Sequence, residues 1–162
     1  MTPLFVVVAL ATLGTPPPSS PSSASAPPPS TAAAGCAALA VNDAWIRLVP
    51  PGAKNTAAFL QVTNRGSTAV AIVGAGSAVA RRAELHTHRH EGGVMKMLAV
   101  PSVPIAAGAT VAFAPGALHV MLFEQTGVKA GERHPLTLRC DDGGSVVVEG
   151  VVSSSAPKPP AP

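Results

Sequence analysis

A chain of 162 residues is long enough for one domain with a modest core. Tyr is absent and aromatic residues make up only 3%, so Val, Leu, Ile and Ala must build that core, while 18 Pro and 15 Gly imply frequent turns. The formal charge of +3 is spread thinly, with no long Lys/Arg block, which excludes a nucleic-acid footprint.

The chain opens with a short apolar run from Leu4 to Leu13. It is too short to span a bilayer and suits the hydrophobic part of a signal peptide, so residues 1–14 are expected to direct export, although no Lys or Arg precedes the run. Residues 15–35 are mainly Pro, Ser and Ala. Such a segment buries too little apolar area to offset its ordering entropy and reads as a disordered tether. Residues 153–162 read the same way. The folded domain is expected over residues 36–152, in a periplasmic or extracellular protein.

Two cysteines, Cys36 and Cys140, bracket that domain. An even pair in an exported chain points to a disulfide. The rival is a lipid anchor on Cys36, because Ala33-Ala34-Gly35-Cys36 loosely resembles a lipoprotein cleavage box; this would tether the protein to a membrane. It ranks second, because Pro- and Ser-rich sequence separates the box from the apolar run.

Between the cysteines there is no sustained helical period. Short β-rich runs alternate with turn signals such as Pro50-Pro51-Gly52, Asn64-Arg65-Gly66, Gly92-Gly93, Pro115-Gly116 and Asp141-Asp142-Gly143-Gly144. Strands are predicted at Leu39–Arg47, Ala57–Thr63, Ala69–Gly74, Ala83–His90, Val94–Val100, Thr110–Phe113, His119–Phe123, Pro135–Cys140 and Val146–Val152. This pattern is all-β and suggests an antiparallel sandwich or barrel. Trp45 should anchor the core. Asp43 and Arg47 stand where they can pair, and His134 reads as a loop residue.

Four of the five His and three of the four Met fall between Leu85 and Glu124. Strand side chains alternate faces, so His86, His88 and His90 share one. Folding about Gly92-Gly93 pairs His90 with Met95 and His88 with Met97, leaving His86 diagonal to Met97. His119 and Met121 share a face of a later strand. By direct pairing His88 lies roughly 4.5–5.5 Å from Met97 between Cβ atoms, and His86 roughly 7–8 Å. Geometry alone accepts either. Thioether suits Cu(I), imidazole suits several transition metals, and a set without an anionic donor favours a soft, singly charged ion.

Ten residues separate His86 from Met97, twenty-one separate Met97 from His119, and one separates His119 from Met121. This spacing resembles the His-x10-Met-x21-His-x-Met pattern of the PCuAC family of periplasmic copper chaperones. Asp43-Ala44-Trp45-Ile46-Arg47, Pro51-Gly52-Ala53-Lys54-Asn55, Val62-Thr63-Asn64 and Leu136-Thr137-Leu138 are similar to the same family. The resemblance runs from Val41 to Val152. It implies a cupredoxin-like β-sandwich and a Cu(I) site of His86, Met97, His119 and Met121. It also implies delivery to exported or membrane proteins, such as the copper centres of cytochrome c oxidase, alongside Sco-type proteins. The resemblance selects His86 over His88. His88 and His90 are left solvated or as a weaker Cu(II) site, and Met95 as a packing residue or neighbour of the ligands. His119 and Met121 are expected at a strand edge near the surface, because a carrier must release its cargo. A monomer is expected, and no enzyme activity: there is no acid/base pair and no Gly-x-Ser-x-Gly elbow. Two rival readings are a blue-copper electron carrier with Cys140 as its thiolate, and a β-sandwich interaction module without metal. A zinc enzyme would need a carboxylate base beside the ligands.

Overall fold

The structure, a computed structural model, describes residues 35–156. The expected signal segment, the tether as far as residue 34 and residues 157–162 of the tail lie outside the described residues. After a 3-10 turn at Gly35–Ala38 come ten strands. They are β1 (Leu39–Arg47), β2 (Asn55–Asn64), β3 (Val70–Ser77), β4 (Ala80–Glu91), β5 (Val94–Ala99), β6 (Val103–Ile105), β7 (Thr110–Phe113), β8 (His119–Gln125), β9 (Arg133–Cys140) and β10 (Ser145–Ser153). Ordered structure thus includes Gly35 and Ser153, one residue beyond each expected domain limit.

Nine of these strands match the sequence expectation. The tenth, β6, is not among the expected strands, and its Val103-Pro104-Ile105 carries a proline. Pro cannot donate to a ladder and is tolerated at a sheet edge. Here β6 is the last strand of the sheet order and pairs only with β3, setting Pro104 against Ala71. His134 lies in β9 rather than in a loop and hydrogen-bonds Glu132 at 3.1 Å.

The ladder runs β5-β4-β8-β2-β1-β10-β9-β3-β6, with β7 pairing β2. All pairings are antiparallel save β1 with β10, so the sheet is mixed. A parallel pair needs a long crossover, and here almost the whole domain supplies it. The fold is the expected β-sandwich. One continuous apolar cluster joins Ile46, Leu60 and Leu122 to Ile72, Leu136, Leu138 and Val152. At the rim, buried Asn64 has both ends of its amide engaged: its nitrogen donates to Thr68 and Ile105 carbonyls, and its oxygen accepts from Gly66 N–H.

Cys36 and Cys140 are bridged, with Cα atoms 5.7 Å apart. The turn is locked by Asp142, whose carboxylate accepts Cys36 N–H and Gly144 N–H at 2.8 Å each. These bonds hold the Asp142 carboxyl below its ordinary value of 3.8. A lipid thioether on Cys36 would consume the same sulfur, so the bridge and the anchor exclude each other.

Candidate metal centre

Alternation along β8 decides what faces where. Val120 and Leu122 point into the core; His119, Met121 and Phe123 point to the opposite face of the sheet. Strand β8 lies between β4 and β2, not at an edge, which corrects the expected placement of His119 and Met121. Its register sets His119 opposite His86, Met121 opposite Glu84 on one side and Ala57 on the other. The hairpin register is the predicted one: His88 pairs Met97, His90 pairs Met95, and His86 pairs Ala99, diagonal to Met97. Gly92 and Gly93 both adopt positive φ, 58° and 79°, as a tight two-residue hairpin connection requires.

The outer face carries its own aromatic floor. A bulge with Asp43 at φ 51° shifts the β1 register between Asn42 and Trp45. Trp45 and Ile46 are therefore both buried, Ile46 in the core and Trp45 against Phe59, with ring centroids 4.6 Å apart. Arg47 forms no ion pair with Asp43; its guanidinium lies over Phe59, 5.2 Å from the ring centroid. Strands β7 and β8 pair with successive stretches of β2, and the chain between them rises as a loop. Its Pro115 and Gly116 form one wall of a cavity of about 230 Å³, shared with Arg47, Phe59, His88, Met97, His119 and Met121.

His119 is the most enclosed of these groups, only 2% exposed. Its Nδ1–H donates to the Ala117 carbonyl at 3.0 Å, which leaves Nε2 with the free lone pair. Burial lowers its pKa from the ordinary 6.5; the Ala117 bond opposes this, and His88, His86 and Arg47 nearby reinforce it. A neutral imidazole with a free nitrogen is the form that binds a metal. His88 stacks on it at 5.0 Å between ring centroids.

His86 sits between His119 and Phe123, at 5.9 and 5.8 Å, and does not line the cavity. Its Nε2–H donates to Glu84 at 3.0 Å. The hydrogen bond holds the Glu84 carboxyl below its ordinary 4.5; desolvation opposes this and Arg82 adds to it. A carboxylate on the far nitrogen fixes the tautomer and orients metal-binding histidines generally. Glu84 was passed over in the sequence. Its signal was the spacing: Glu84 and His86, two apart on a strand, share a face.

Two buried side-chain nitrogens among the described residues have no hydrogen-bond partner, His86 Nδ1 and His88 Nδ1. Buried polar atoms are normally satisfied, and an orphan lone pair on an imidazole is accounted for by an electron-pair acceptor such as a metal ion. The methionines fit the same account. Among the described residues none is in the core, although Met is usually core filler; Met95 and Met97 are 50% and 47% exposed, and Met121 lines the cavity. The donor set therefore fits a soft metal ion. Elsewhere, Cys36, Cys140 and Asp142 lie close together, but a disulfide offers no thiolate. Neither cysteine is free, which removes the blue-copper reading that needed Cys140.

The LpqE-like family, described as "Putative lipoprotein LpqE-like", matches residues 39–152. The chain belongs to the LpqE-like family. Among relatives of this LpqE-like chain, "Putative lipoprotein Lxx21020" of Leifsonia xyli subsp. xyli is 37% identical over 105 residues. That match covers 64% of this chain and 62% of the relative, so the chain spans less than two thirds of it. Among solved structures, Cu(I)-bound DR1885 from Deinococcus radiodurans superposes with a TM-score of 0.58 at 32% identity, covering 70% of this chain and 76% of that one. The copper-bound PCuAC domain from PmoF2 gives a TM-score of 0.60 at 19% identity, over 73% of this chain and 94% of that one. The fold of the LpqE-like chain is thus that of PCuAC domains, as the sequence resemblance implied.

Proposed function

We propose that this protein is an exported copper chaperone that carries Cu(I) on the outer face of β4, β5 and β8. The observation that carries the reading is the convergence of unpartnered imidazole nitrogen and thioether sulfur on one face, beside a 230 Å³ cavity. Its structural relative DR1885 is a Cu(I)-bound protein, and the lipoprotein names in its family fit an exported chain.

The ligands in this reading are His86, Met97, His119 and Met121. His119 Nε2 and Met121 form the enclosed side, and Met97 the exposed side. His86 presents Nδ1, oriented through Glu84. Two nitrogen and two sulfur donors, all neutral, favour Cu(I) over doubly charged ions, and the Arg47 guanidinium on the cavity wall adds to that preference. A half-exposed Met97 gives an acceptor protein access to the cargo. The acceptors are exported or membrane copper proteins, with cytochrome c oxidase centres and Sco-type proteins implied by the PCuAC resemblance. The chain acts as a carrier and not as an enzyme.

A specific observation favours a variant of this site. His88, not His86, lines the cavity with Met97, His119 and Met121. His88 then either replaces His86 for Cu(I) or supplies an extra imidazole for Cu(II). X-ray absorption on the Cu(I) complexes of wild type, His86→Ala and His88→Ala separates these, because the variant that loses one nitrogen scatterer identifies the ligand. The double variant Met97→Leu/Met121→Leu tests the function itself. It should stay folded and lose Cu(I) affinity by at least about a hundredfold, since both soft donors are gone. Unchanged Cu(I) affinity in that variant would sink the chaperone reading.

A further inference from the structure

The cavity leaves two donors on its own face unused. His90 and Met95 pair directly across the hairpin, the next rung on the same face beyond His88 and Met97, with only the Glu91–Val94 pair between them and the Gly92-Gly93 turn. Neither lines the cavity, and both are exposed. A single exposed Met is ordinary. Here two successive same-face rungs each set a thioether opposite an imidazole, on the face that holds His119 and Met121, in a domain whose core contains no Met. Same-face rungs are about 7 Å apart along a strand, and three rotatable bonds let a Met side chain swing across much of that gap.

We propose that His90 and Met95 form a second, outer position for a soft monovalent ion at the hairpin tip, the port through which Cu(I) enters and leaves the inner cavity. This rests on the reading of the inner cavity as a Cu(I) site. One imidazole and one thioether are two neutral donors, enough to hold such an ion weakly and to leave it open to incoming ligands. The carboxylate nearest in sequence, Glu91, is engaged by Lys96 at 3.1 Å. By strand alternation both point to the opposite face. No carboxylate of the tip therefore competes to make the position a site for hard cations. The His88–Met97 rung borders the inner cavity on the side of the tip, so an ion moving inward passes from one imidazole–thioether pair to the next.

The test is a titration of the full chain with Ag(I), a soft monovalent ion that does not change oxidation state, read by NMR of 13C-methyl methionine. The first equivalent should move the Met97 and Met121 methyls, and further Ag(I) the Met95 methyl. In His90→Gln the first step should be unchanged, while the Met95 response should need at least about tenfold more Ag(I). A Met95 methyl that stays silent in wild type, or that responds identically in His90→Gln, overturns the port alone. Silence of Met97 and Met121 overturns the inner site, and the port with it. His90 is exposed at the tip, so the substitution does not touch the core.

Discussion

His119 shows how one residue is prepared by its surroundings. It lies among three rings, those of Phe59, His86 and His88, its Nδ1–H is held by Ala117, and burial favours the neutral form. The lowered pKa has a consequence for the metal-free protein. Below the ordinary value of 6.5 the unfolded chain binds a proton at this residue that the folded protein resists. This contribution to stability is therefore fully present above 6.5, declines as the pH falls through 6.5, and levels off below the lowered folded value. Urea midpoints of wild type and His119→Gln, measured from about pH 7.5 down to about pH 5, check this; wild type should lose more stability across the window. Parallel midpoints would mean that His119 is not held neutral by burial. Glu84 and Asp142, with lowered carboxyl values, act at more acidic pH and are common to both proteins.

At the scale of elements, the β4–β5 hairpin brings Met97 and His88 to a cavity whose other side is set by β8 and β2. All six residues of β5 are exposed, and β5 is an edge strand. Little burial holds it, so its turn carries much of its stability. Gly92 and Gly93 both sit in the left-handed region, which costs a residue with a Cβ about 1 kcal/mol or more. The variant Gly92→Val/Gly93→Val should lose amide protection across β5 and weaken Cu(I) binding by roughly tenfold or more, at ~1–2 kcal/mol per substituted position. The global unfolding midpoint should change much less. Hydrogen exchange resolved by residue, together with Cu(I) competition, measures both. Full protection of β5 in the variant would show that side-chain pairing, not the turn, holds the hairpin.

For the whole molecule, the Cys36–Cys140 bridge ties the 3-10 turn before β1 to the end of β9, spanning a sequence separation of 104. Closing so long a loop in the unfolded chain is worth ~4–5 kcal/mol in the chain-entropy picture. Thermal unfolding with and without reductant should differ in Tm by more than about 10 °C, given ~4–8 °C per kcal/mol for a domain near this size. Intact mass before and after reduction confirms the bridge. A Tm that ignores reductant would assign the stability to the core cluster and the Asp142 lock instead. Along the ladder the site is separated from Cys140 in β9 by β10, β1 and β2, so metal affinity of the reduced protein should fall only as the fold does.

Local pattern determined a great deal here. Alternation placed His86, His88 and His90 on one face, the Gly92-Gly93 turn determined the hairpin register residue by residue, and β-rich runs between turns marked nine of the ten strands. These follow from backbone geometry within a few residues, which sequence carries directly. The edge strand around Pro104 escaped, because whether a proline is tolerated depends on which side of the strand has a neighbour. Only the tertiary structure decided three things. Strand β8 is interior, because the sandwich threads it between β4 and β2. Arg47 serves Phe59 and the cavity wall rather than Asp43, because the bulge at Asp43 turns the two apart in register. And of two histidines that share a face, His88 reaches the cavity while Glu84 holds His86 beside it, a distinction set by the stagger between β4, β5 and β8 and invisible to any period of two.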